Sequence, residues 1–482
     1  MTQTEFINYI LRNIDFAPTD DQRNALATFA RFLADRSPNA VMVLRGSAGT
    51  GKTTIASVMV NALRRLGQKL MLLAPTGRAA KVLSLNSAMP AYTVHRRIYR
   101  EKAYQGVDGV FNLNDNRYRN MLFVVDEASM VSNYPSGDNA FGSGSLLDDL
   151  MKYVYAGDNC RLLLIGDRAQ LPPVGESEAP ALCADVLAGY GMRVYECDLD
   201  EVLRQSADSG ILYNATLIRQ MMARDEPVSL PRISLKGFAD IMKLPGADLV
   251  ESLETSYSQM GEDETIVITR SNKRANVYNQ GIRNAVLDRE EVLCSNDMLM
   301  IVRNNYFWTE NVSKGEADAD VKAPSFLANG DRAQVLRVRN VRELYGFHFA
   351  DVWLRFPDYD DFELQVTIVM DSLTTDAPAL SREQMEDLYN KVMEDYADLP
   401  TKLQRLAKLR QDIYFNALQV KFAYAVTCHK AQGGQWQHVY VDQGYMTDDM
   451  LTPDYIHWLY TAFTRATDKL FLVNWPDSQV AE

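Results

Sequence analysis

Cysteine and histidine are scarce in this chain. Its 482 residues include five of each. The number of cysteines is odd and no two of them form a C-x-x-C pair, which argues against a disulfide framework, a zinc ribbon and an iron–sulfur cluster. The histidines are too widely separated to suggest a set of metal ligands. We therefore expect reduced, mostly buried thiols.

Long hydrophobic runs are absent as well. No apolar stretch reaches the length that is needed to cross a bilayer. Residues 1–16, MTQTEFINYILRNIDF, mix acids with apolar side chains and lack the basic start and the cleavage site of a signal peptide. We therefore expect a cytoplasmic protein without a membrane partner.

Acidic residues outnumber basic ones, and the formal net charge is -13. This excess argues weakly against a protein that coats duplex DNA by charge alone. It does not argue against a narrow nucleic-acid channel, in which only the local charge matters. Residues 93–102, TVHRRIYREK, are locally basic within the acidic whole.

What the sequence does contain is a series of short apolar runs separated by helical or loop-like segments. A first set lies at residues 40–44, 69–74, 120–126 and 161–167. Buried runs that alternate with helices are typical of a doubly wound parallel α/β sheet. A second set, near residues 195–200, 264–270, 438–442 and 469–474, predicts a second α/β domain of the same type.

A different pattern occupies the region between these two halves. Residues 331–340 and 350–369 alternate like the antiparallel strands of a small β-barrel, and residues 381–412 have a helical apolar period with many charges. We predict a solvated helical hairpin there. The expected divisions are a first domain at 1–195, a second domain at 196–324 and 416–482, and an inserted barrel with its hairpin at 325–415. The acidic stretch at 309–324 has no predicted role.

A phosphate-binding loop follows the first apolar run and precedes an amphipathic helix. GSAGTGKT, residues 46–53, fits the pattern G-x-x-x-x-G-K-[ST] in its usual strand–loop–helix context. Backbone N–H groups of such a loop close on phosphate oxygens, and the helix N-terminus favours the anion. Lys52 is expected to reach the β- and γ-phosphates, and the Thr53 hydroxyl to hold Mg²⁺. The residues expected at the nucleotide are Gly46, Ser47, Ala48, Gly49, Thr50, Gly51, Lys52, Thr53 and Thr54.

An acidic pair ends the third apolar run, in LFVVDEAS. Asp126 is placed to hold Mg²⁺ directly or through water. Glu127 is placed to orient or deprotonate the attacking water. The alternative is a carboxylate pair that caps the following helix. An adjacent Asp-Glu distinguishes a hydrolase from many kinases and small GTPases.

Nine segments form an ordered set that resembles the motifs of a known family. They are PTDDQ, GSAGTGKT, APTGRAAK, TVHRRIY, VVDEASM, GDRAQLPPVG, LRQ, TCHKAQG and YTAFTRA. Together they resemble the RecD-like and Dda-like helicases of superfamily 1, B branch, over nearly the whole chain. APTGRAA stands where the other large branch, similar to UvrD, usually has a TFTNKAA-like segment.

The resemblance implies an α/β fold with two RecA-like P-loop motor domains and ATP in the cleft between them. It also implies a small β-barrel insertion in the second domain and a short wedge-bearing insertion at about residues 90–120. Within it, residues 103–120 are the candidate for the wedge hairpin, with NDN at 114–116 near a turn. The implied activity is an ATP hydrolase that moves 5′→3′ on single-stranded DNA and unwinds duplexes.

The same resemblance assigns roles to individual residues. Gln22 would recognise the adenine base, although by itself it is better explained as a residue on the surface of a helix. Gln170 would sense the γ-phosphate. Arg204 and Arg465 would be arginine fingers, where each alone reads as a surface ion pair. Gly433 would line the nucleotide site. The residues expected along the DNA are Pro75, Thr76, Arg78, Lys81, His95, Arg96, Thr427, His429 and Lys430. The aromatic residues considered for base stacking, with core packing as the alternative for each, are Tyr92, Tyr99, Phe307 and Trp308.

The implied cofactors are ATP and Mg²⁺, and the implied partners are single-stranded and fork DNA bound by a monomer, with a role in DNA repair or recombination. Two other functions remain open: a DNA-stimulated ATPase that remodels nucleoprotein with little unwinding, and an ATP switch that does not translocate. ATPase activity with and without single-stranded DNA separates the switch from the motors. A helicase–nuclease is disfavoured, because Asp358 and Glu363 lie too close together and Gln365 stands where a catalytic lysine is needed.

Overall fold

A computed structural model describes residues 2–105, 108–134, 142–202, 208–222, 229–312, 324 and 326–481. The strands in these ranges are β1 (Ala40–Gly46), β2 (Lys69–Ala74), β3 (Ala91–Thr93), β4 (Tyr99–Gln105), β5 (Asp108–Leu113), β6 (Met121–Val125), β7 (Arg161–Gly166), β8 (Arg193–Leu199), β9 (Ile233–Ser234), β10 (Ile241–Leu244), β11 (Thr265–Thr269), β12 (Met298–Ile301), β13 (Arg332–Leu344), β14 (Phe347–Phe356), β15 (Phe362–Val369), β16 (Leu418–Phe422), β17 (Ala425–Thr427), β18 (Trp436–Asp442), β19 (Ala466–Val473) and β20 (Val480–Ala481).

The helices in the same ranges are α1 (Gln3–Leu11), α2 (Asp20–Ala34), α3 (Lys52–Arg65), α4 (Gly77–Ser87), α5 (Val94–Ile98), α6 (Leu146–Tyr155), α7 (Ala184–Gly189), α8 (Gly210–Met222), α9 (Leu249–Met260), α10 (Asn272–Gly281), α11 (Phe307–Val312), α12 (Arg382–Glu394), α13 (Lys402–Leu409), α14 (Cys428–Ala431) and α15 (Pro453–Phe463). Within the described ranges, no helix combines the length and the apolar character that a membrane span requires.

The first domain is built on a six-stranded parallel sheet with the order β3-β2-β6-β7-β1-β8. β1 and β6 are buried along their whole length, as expected for parallel strands that helices cover on both faces. β8 pairs with β1. The run near 195–200 therefore completes the first sheet and does not open the second domain, so the first domain extends beyond the expected end at residue 195.

An antiparallel hairpin of β4 and β5 follows α5, inside the insertion predicted at about 90–120. Its strands pair from Tyr99 opposite Leu113 to Gln105 opposite Asp108. The connection between them, residues 106–107, lies outside the described residues. The NDN segment at 114–116 directly follows β5, outside the paired strands of the hairpin.

The second domain has a five-stranded sheet with the order β10-β19-β18-β11-β17, and all of its pairs are parallel. The apolar runs predicted near residues 264–270, 438–442 and 469–474 are all strands of this sheet. The two RecA-like α/β domains expected from the pattern are therefore confirmed.

The inserted barrel is closed by five strands, β12 to β16. Because β12 and β16 pair with each other, the barrel runs from Met298 to Phe422 and is longer than the range 325–415 that the sequence suggested. The predicted helical hairpin is confirmed as α12 and α13. Leu388, Val392 and Leu409 pack there in one apolar cluster with barrel residues such as Phe349.

Candidate active site

The phosphate-binding loop connects β1 to α3. Gly49 and Gly51 have φ values of 79° and 75°, in the left-handed region that residues with a Cβ rarely adopt. The Thr50 hydroxyl donates to the Ser47 carbonyl at 2.8 Å and closes the turn. No side chain caps the N-terminus of α3. The N–H groups of the first turn are therefore available to an anion, and Thr53 and Thr54 are exposed on that turn.

The acidic pair stands at the carboxyl end of β6. Burial and the adjacent Glu127 raise the pKa of Asp126, while the Lys52 ammonium opposes this shift. Glu127 has a left-handed backbone with φ 52°, which is costly for a residue with a side chain and is typical of functional sites. Its carboxylate does not cap the turn that follows. The helix-capping alternative is therefore not realised by Glu127.

Two buried polar atoms at this strand end lack a hydrogen-bond partner within the described chain. They are Oε2 of Glu127 itself and Oγ of Ser129. Buried polar atoms are almost always satisfied by protein, water or a ligand. The donor set at this position, two carboxylates and hydroxyls, is of the kind that hard cations such as Mg²⁺ prefer. The residues present therefore fit a magnesium–nucleotide group.

The loop after β7, residues 167–173, joins this site to the second domain. Asp167 accepts the Ala169 N–H at 2.9 Å and the Tyr460 hydroxyl of α15 at 2.7 Å. Burial raises the pKa of Asp167. Gln170 is also buried, and its Oε1 has no partner in the described chain. An unpaired amide oxygen is a hydrogen-bond acceptor and suits contact with a water molecule.

Further hydrogen bonds attach the same loop to the second domain. The Leu171 N–H donates to Thr461 Oγ1 at 2.7 Å, and Gln432 Nε2 donates to the Leu171 carbonyl at 2.7 Å. His457 Nδ1 lies 3.0 Å from the Ala169 carbonyl. Ala169 and Leu171 belong to the apolar core of the second domain. A movement of this loop therefore has to move the second domain or break these contacts.

Two second-domain side chains also reach the phosphate-binding loop. The Ala48 N–H donates to the Tyr460 hydroxyl at 2.9 Å, and Arg219 Nη1 donates to Ser47 Oγ at 2.5 Å. Sequence reasoning missed both residues. Tyr460 begins YTAFTRA and could have been found there, whereas Arg219 stands in no recognisable motif.

Of the other residues predicted at the nucleotide, Gln22 and Arg465 are buried, and Arg204 lies outside the described residues. Gln22 is 1% exposed, so the surface alternative is wrong. Its Nε2 donates to the Thr50 carbonyl at 3.1 Å and its Oε1 accepts the Thr19 N–H at 3.2 Å, which ties α2 to the phosphate-binding loop. Arg465 is 3% exposed and donates to the carbonyls of Thr461 and Gly434 at 3.0 and 3.1 Å, so its surface ion-pair alternative is also wrong.

The segments predicted to follow the DNA meet across the interdomain cleft. Thr76 caps α4, and a Cβ built on Gly433 would lie 3.0 Å from its hydroxyl. Arg78 donates to the Gln435 carbonyl at 2.6 Å, with its guanidinium 4.3 Å above the Trp436 ring. Residues 75–81 and 427–436, far apart in sequence, therefore form one surface.

Charge along this surface is lower than the residue types suggest. Burial lowers the pKa of His95 to about 4, so its imidazole is neutral at physiological pH. Burial, with Lys421 nearby, lowers the pKa of Lys430 to about 8. Lys81 donates to the Pro357 carbonyl and lies 3.8 Å from Asp358 of the barrel. Lys81 is therefore engaged by protein in this conformation.

Two of the aromatic residues considered for base stacking are used in packing. Tyr99 is buried and its hydroxyl donates to Asp149 at 2.7 Å, and Trp308 Nε1 donates to the Asn416 carbonyl at 2.9 Å. Tyr92, in contrast, lines a cavity of about 220 Å³ between the first domain and the barrel. That cavity is also lined by Pro90, Lys81, Arg96, Tyr359 and Asp360.

A buried carboxyl stands where the barrel meets α4. Asp331 is 1% exposed, and its Oδ2 accepts the Ala328 N–H at 2.7 Å and the Tyr359 hydroxyl at 2.8 Å. A Cβ on Gly77 would lie 2.4 Å from its Oδ1, so glycine is required for this close approach. Burial raises the pKa of Asp331 to about 7.

Replacing Asp331 by asparagine is expected to flatten the pH dependence of stability. Between about pH 4 and 7 the folded carboxyl keeps a proton that the unfolded chain has lost, so folding stability falls as pH rises. The raised pKa of Asp331 corresponds to a loss of at most about 4 kcal/mol in the free energy of unfolding as the pH rises. Urea unfolding at about pH 5 and about pH 8 should show this loss in the wild type and in the exposed control Asp361→Asn. An equal loss in Asp331→Asn would contradict the assignment.

Two family models match the chain. A model described as an AAA domain matches residues 18–226, and one described as a UvrD-like helicase C-terminal domain matches residues 422–473. The first match contains the phosphate-binding loop and the acidic pair, and the second contains Thr427 and Arg465. The two matches therefore include residues from both domains that face the cleft.

Curated relatives include a protein of unknown role and two helicases. Uncharacterized protein R530 of Acanthamoeba polyphaga mimivirus is 23% identical, and the matched region spans 90% of this chain and 96% of that protein. ATP-dependent RecD2 DNA helicase of Deinococcus radiodurans is 32% identical over 42% of this chain and 25% of that protein. ATP-dependent DNA helicase dda of Enterobacteria phage T4 is 28% identical over 39% of this chain and 40% of that protein. The chain therefore spans less than half of either named helicase.

Among solved structures, the Pif1 helicase from Bacteroides in complex with ADP-AlF3 and ssDNA is 14% identical, with 97% of this chain and 95% of that chain covered and a TM-score of 0.47. The sheet orders, the nine ordered segments, the two family models and the two named relatives carry the assignment. The AAA domain, the UvrD-like helicase C-terminal domain and the similarity to RecD2 and dda support a DNA helicase of superfamily 1, B branch, that hydrolyses ATP.

Proposed function

We propose that this enzyme moves 5′→3′ on single-stranded DNA and couples ATP hydrolysis in the interdomain cleft to the unwinding of duplexes. The observation that carries the proposal is the loop at residues 167–173. It begins with Asp167, a buried carboxylate on which the charges of Lys52 and Glu127 act, and it is hydrogen-bonded to Tyr460, Thr461 and Gln432 of the second domain. A change at the phosphates is thereby linked to the relative position of the two domains.

In the proposed nucleotide site, Lys52 and the N–H groups at the start of α3 bind the phosphates. Thr53 and Asp126 would hold Mg²⁺, which neutralises charge on the β- and γ-phosphate oxygens. Glu127 orients or deprotonates the attacking water, and its unpaired Oε2 is available for this task. Gln170 contacts the same water or the γ-phosphate through its amide.

Closure of the cleft is the proposed step that converts hydrolysis into movement. Cationic side chains of the second domain gain most when a γ-phosphate is present, so the cleft closes with ATP and opens after hydrolysis. Arg204 and Arg465 remain the proposed arginine fingers. Arg465 is held by carbonyl oxygens of its own domain, so its guanidinium is positioned without a competing carboxylate in the described contacts.

The proposed DNA path runs over residues 75–81 and 427–433 and along the cavity beside the barrel. Thr76, Thr427 and backbone groups are suited to contacts with phosphate and sugar, which set the register without reading bases. Tyr92 and Arg96 line the cavity, with the Arg96 guanidinium 5.4 Å from the Tyr92 ring. A flat ring next to a cation is suited to stacking a base above a phosphate.

The hairpin of β4 and β5 is the proposed wedge that separates the strands. It directly follows α5, which carries His95 and Arg96 of the proposed path. Phe111 at its base packs against Tyr306 of the barrel insertion, with ring centroids 4.3 Å apart. This contact supports a hairpin that is held by the barrel insertion as well as by the first domain while a fork presses on it.

A duplex with a 5′ single-stranded tail is expected to be unwound in preference to one with a 3′ tail. A motor that moves 5′→3′ loads on the 5′ tail and reaches the fork, whereas on a 3′ tail it moves away from the fork. Strand separation is measured with labelled duplexes of identical sequence, and a blunt duplex is the control. A preference for the 3′ tail would overturn the proposed direction.

A further inference from the structure

Arg219 of α8 is a second-domain cation that touches the phosphate-binding loop. Its Nη1 lies 2.5 Å from Ser47 Oγ and 3.1 Å from Asp200 Oδ1. Its side chain is 22% exposed. Arginine in such a position provides planar, charge-assisted donors for phosphate oxygens.

A second residue on the same face of α8 also lies close to the phosphate-binding loop. A Cβ on Gly49 would lie 3.3 Å from Leu212, which is seven residues before Arg219. Residues seven apart are two turns apart and share one face of a helix. The face that carries Leu212 and Arg219 therefore lies along the phosphate-binding loop.

The second domain holds α8 firmly. Asp240 accepts the Ser209 hydroxyl at 2.6 Å and the Gly210 N–H at 2.8 Å at the start of the helix. Ile211, Ala215 and Ile218 are buried in the second-domain core. Arg219 therefore moves with the second domain when the cleft opens or closes.

The Arg219 guanidinium has N–H groups that its hydrogen bonds do not use. In the described part of the chain, its hydrogen bonds all come from Nη1, and its ion-pair partner Asp200 is 76% exposed. An exposed ion pair is strongly screened by solvent and contributes little. Arg465 differs, because all three of its guanidinium nitrogens donate to protein oxygens.

The charge of Arg219 acts on groups of the proposed nucleotide site. The Tyr460 hydroxyl feels the positive charge of Arg219, accepts the Ala48 N–H and donates to Asp167. Asp167 in turn feels the charges of Lys52 and Glu127. The charge of Arg219 therefore acts on Tyr460, which is hydrogen-bonded to Asp167, and Asp167 is coupled electrostatically to Lys52 and Glu127, the groups assigned to the phosphates and the attacking water.

We propose that Arg219 binds the γ-phosphate of ATP from the second domain, exchanging its contacts to Ser47 and Asp200 for phosphate oxygens. This inference rests on the proposed nucleotide site. It assigns a role in nucleotide binding to α8, a helix outside the recognised motifs, in addition to Arg204 and Arg465. Because ADP lacks the γ-phosphate, Arg219 distinguishes the two nucleotides and favours the closed cleft only with ATP.

The test compares the affinity of Arg219→Ala for ADP and for a non-hydrolysable ATP analogue, by competition with a fluorescent nucleotide. We expect a loss of roughly 10- to 100-fold for the analogue, since charged hydrogen bonds contribute in this range, and little change for ADP. Arg219→Lys should recover part of the loss. The matched control is Arg342→Ala, because Arg342 also pairs with an aspartate at 24% exposure but lies on the barrel.

Equal losses for both nucleotides, or no loss, would overturn the proposal, and a lowered melting temperature with equal losses would mark a structural role. Wild-type protein that binds both nucleotides but does not hydrolyse ATP would overturn the proposed function alone, since the two affinities still report on Arg219. Wild-type protein that binds neither nucleotide would overturn both.

Discussion

Replacing Lys52 by alanine is expected to abolish ATP hydrolysis while the fold stays intact. Lys52 is the first residue of α3, and its charge acts on the buried carboxylates of Asp126 and Asp167. With ATP bound, the same charge offsets the β- and γ-phosphates, and the loss of one such electrostatic group costs on the order of 100-fold or more in kcat. Steady-state turnover at saturating ATP measures the effect.

The fold should survive this change because Lys52 makes no hydrogen bond or ion pair among the described contacts that the alanine variant would lose. The matched control is Lys69→Ala, which removes an exposed lysine at the start of β2, in the same domain as Lys52. Equal melting temperatures for the two variants and the wild type establish an intact fold. Turnover retained by Lys52→Ala would remove the assignment of residues 46–53 to the phosphates.

Replacing Glu127 by glutamine is expected to leave a protein that binds ATP and DNA but turns over very slowly. The amide has nearly the shape of the carboxylate, so the left-handed backbone at this position and the turn after β6 are unchanged. It has lost the negative charge that accepts a proton from water. General-base catalysis contributes roughly 100- to 10,000-fold, and kcat should fall by a factor in this range.

Binding and turnover have to be measured on the same Glu127→Gln preparation. Affinity for a non-hydrolysable ATP analogue and for a single-stranded oligonucleotide should stay close to that of the wild type. Glu178→Gln, an exposed glutamate in the loop after β7, is the matched control. A normal kcat would exclude Glu127 as the group that activates water, whereas lost nucleotide binding would indicate a structural role.

Local features of the site follow from contiguous sequence. The phosphate-binding loop depends on glycines at fixed spacing between a strand and a helix, and the structure has positive φ at Gly49 and Gly51 as the motif requires. The acidic pair depends only on the end of one strand. Such features arise from backbone conformation over a few residues, so a pattern of eight or nine letters is enough to predict them.

The limits of domains were harder to predict, because strand pairing is non-local. The run predicted near 195–200 lies in β8, and its membership of the first sheet is decided by pairing with β1, about 150 residues earlier. β12 and β16 close the barrel in the same way from positions outside the predicted insertion. A short apolar run carries no information about which sheet will receive it.

The sequence by itself determined the two α/β halves, the inserted barrel with its helical hairpin, and the groups proposed to act on the phosphates and water. Only the tertiary structure decided that residues 167–173 are bonded to α15, that Gln22 supports the phosphate-binding loop, and that Tyr460 and Arg219 reach that loop from the second domain. The physical reason is distance along the chain. A motif is created by neighbouring residues, whereas the contacts across the cleft join residues 172 to 412 positions apart and exist only after both domains have folded and docked. The contact of Gln22 with Thr50, 28 positions apart, likewise exists only after α2 has packed beside the phosphate-binding loop.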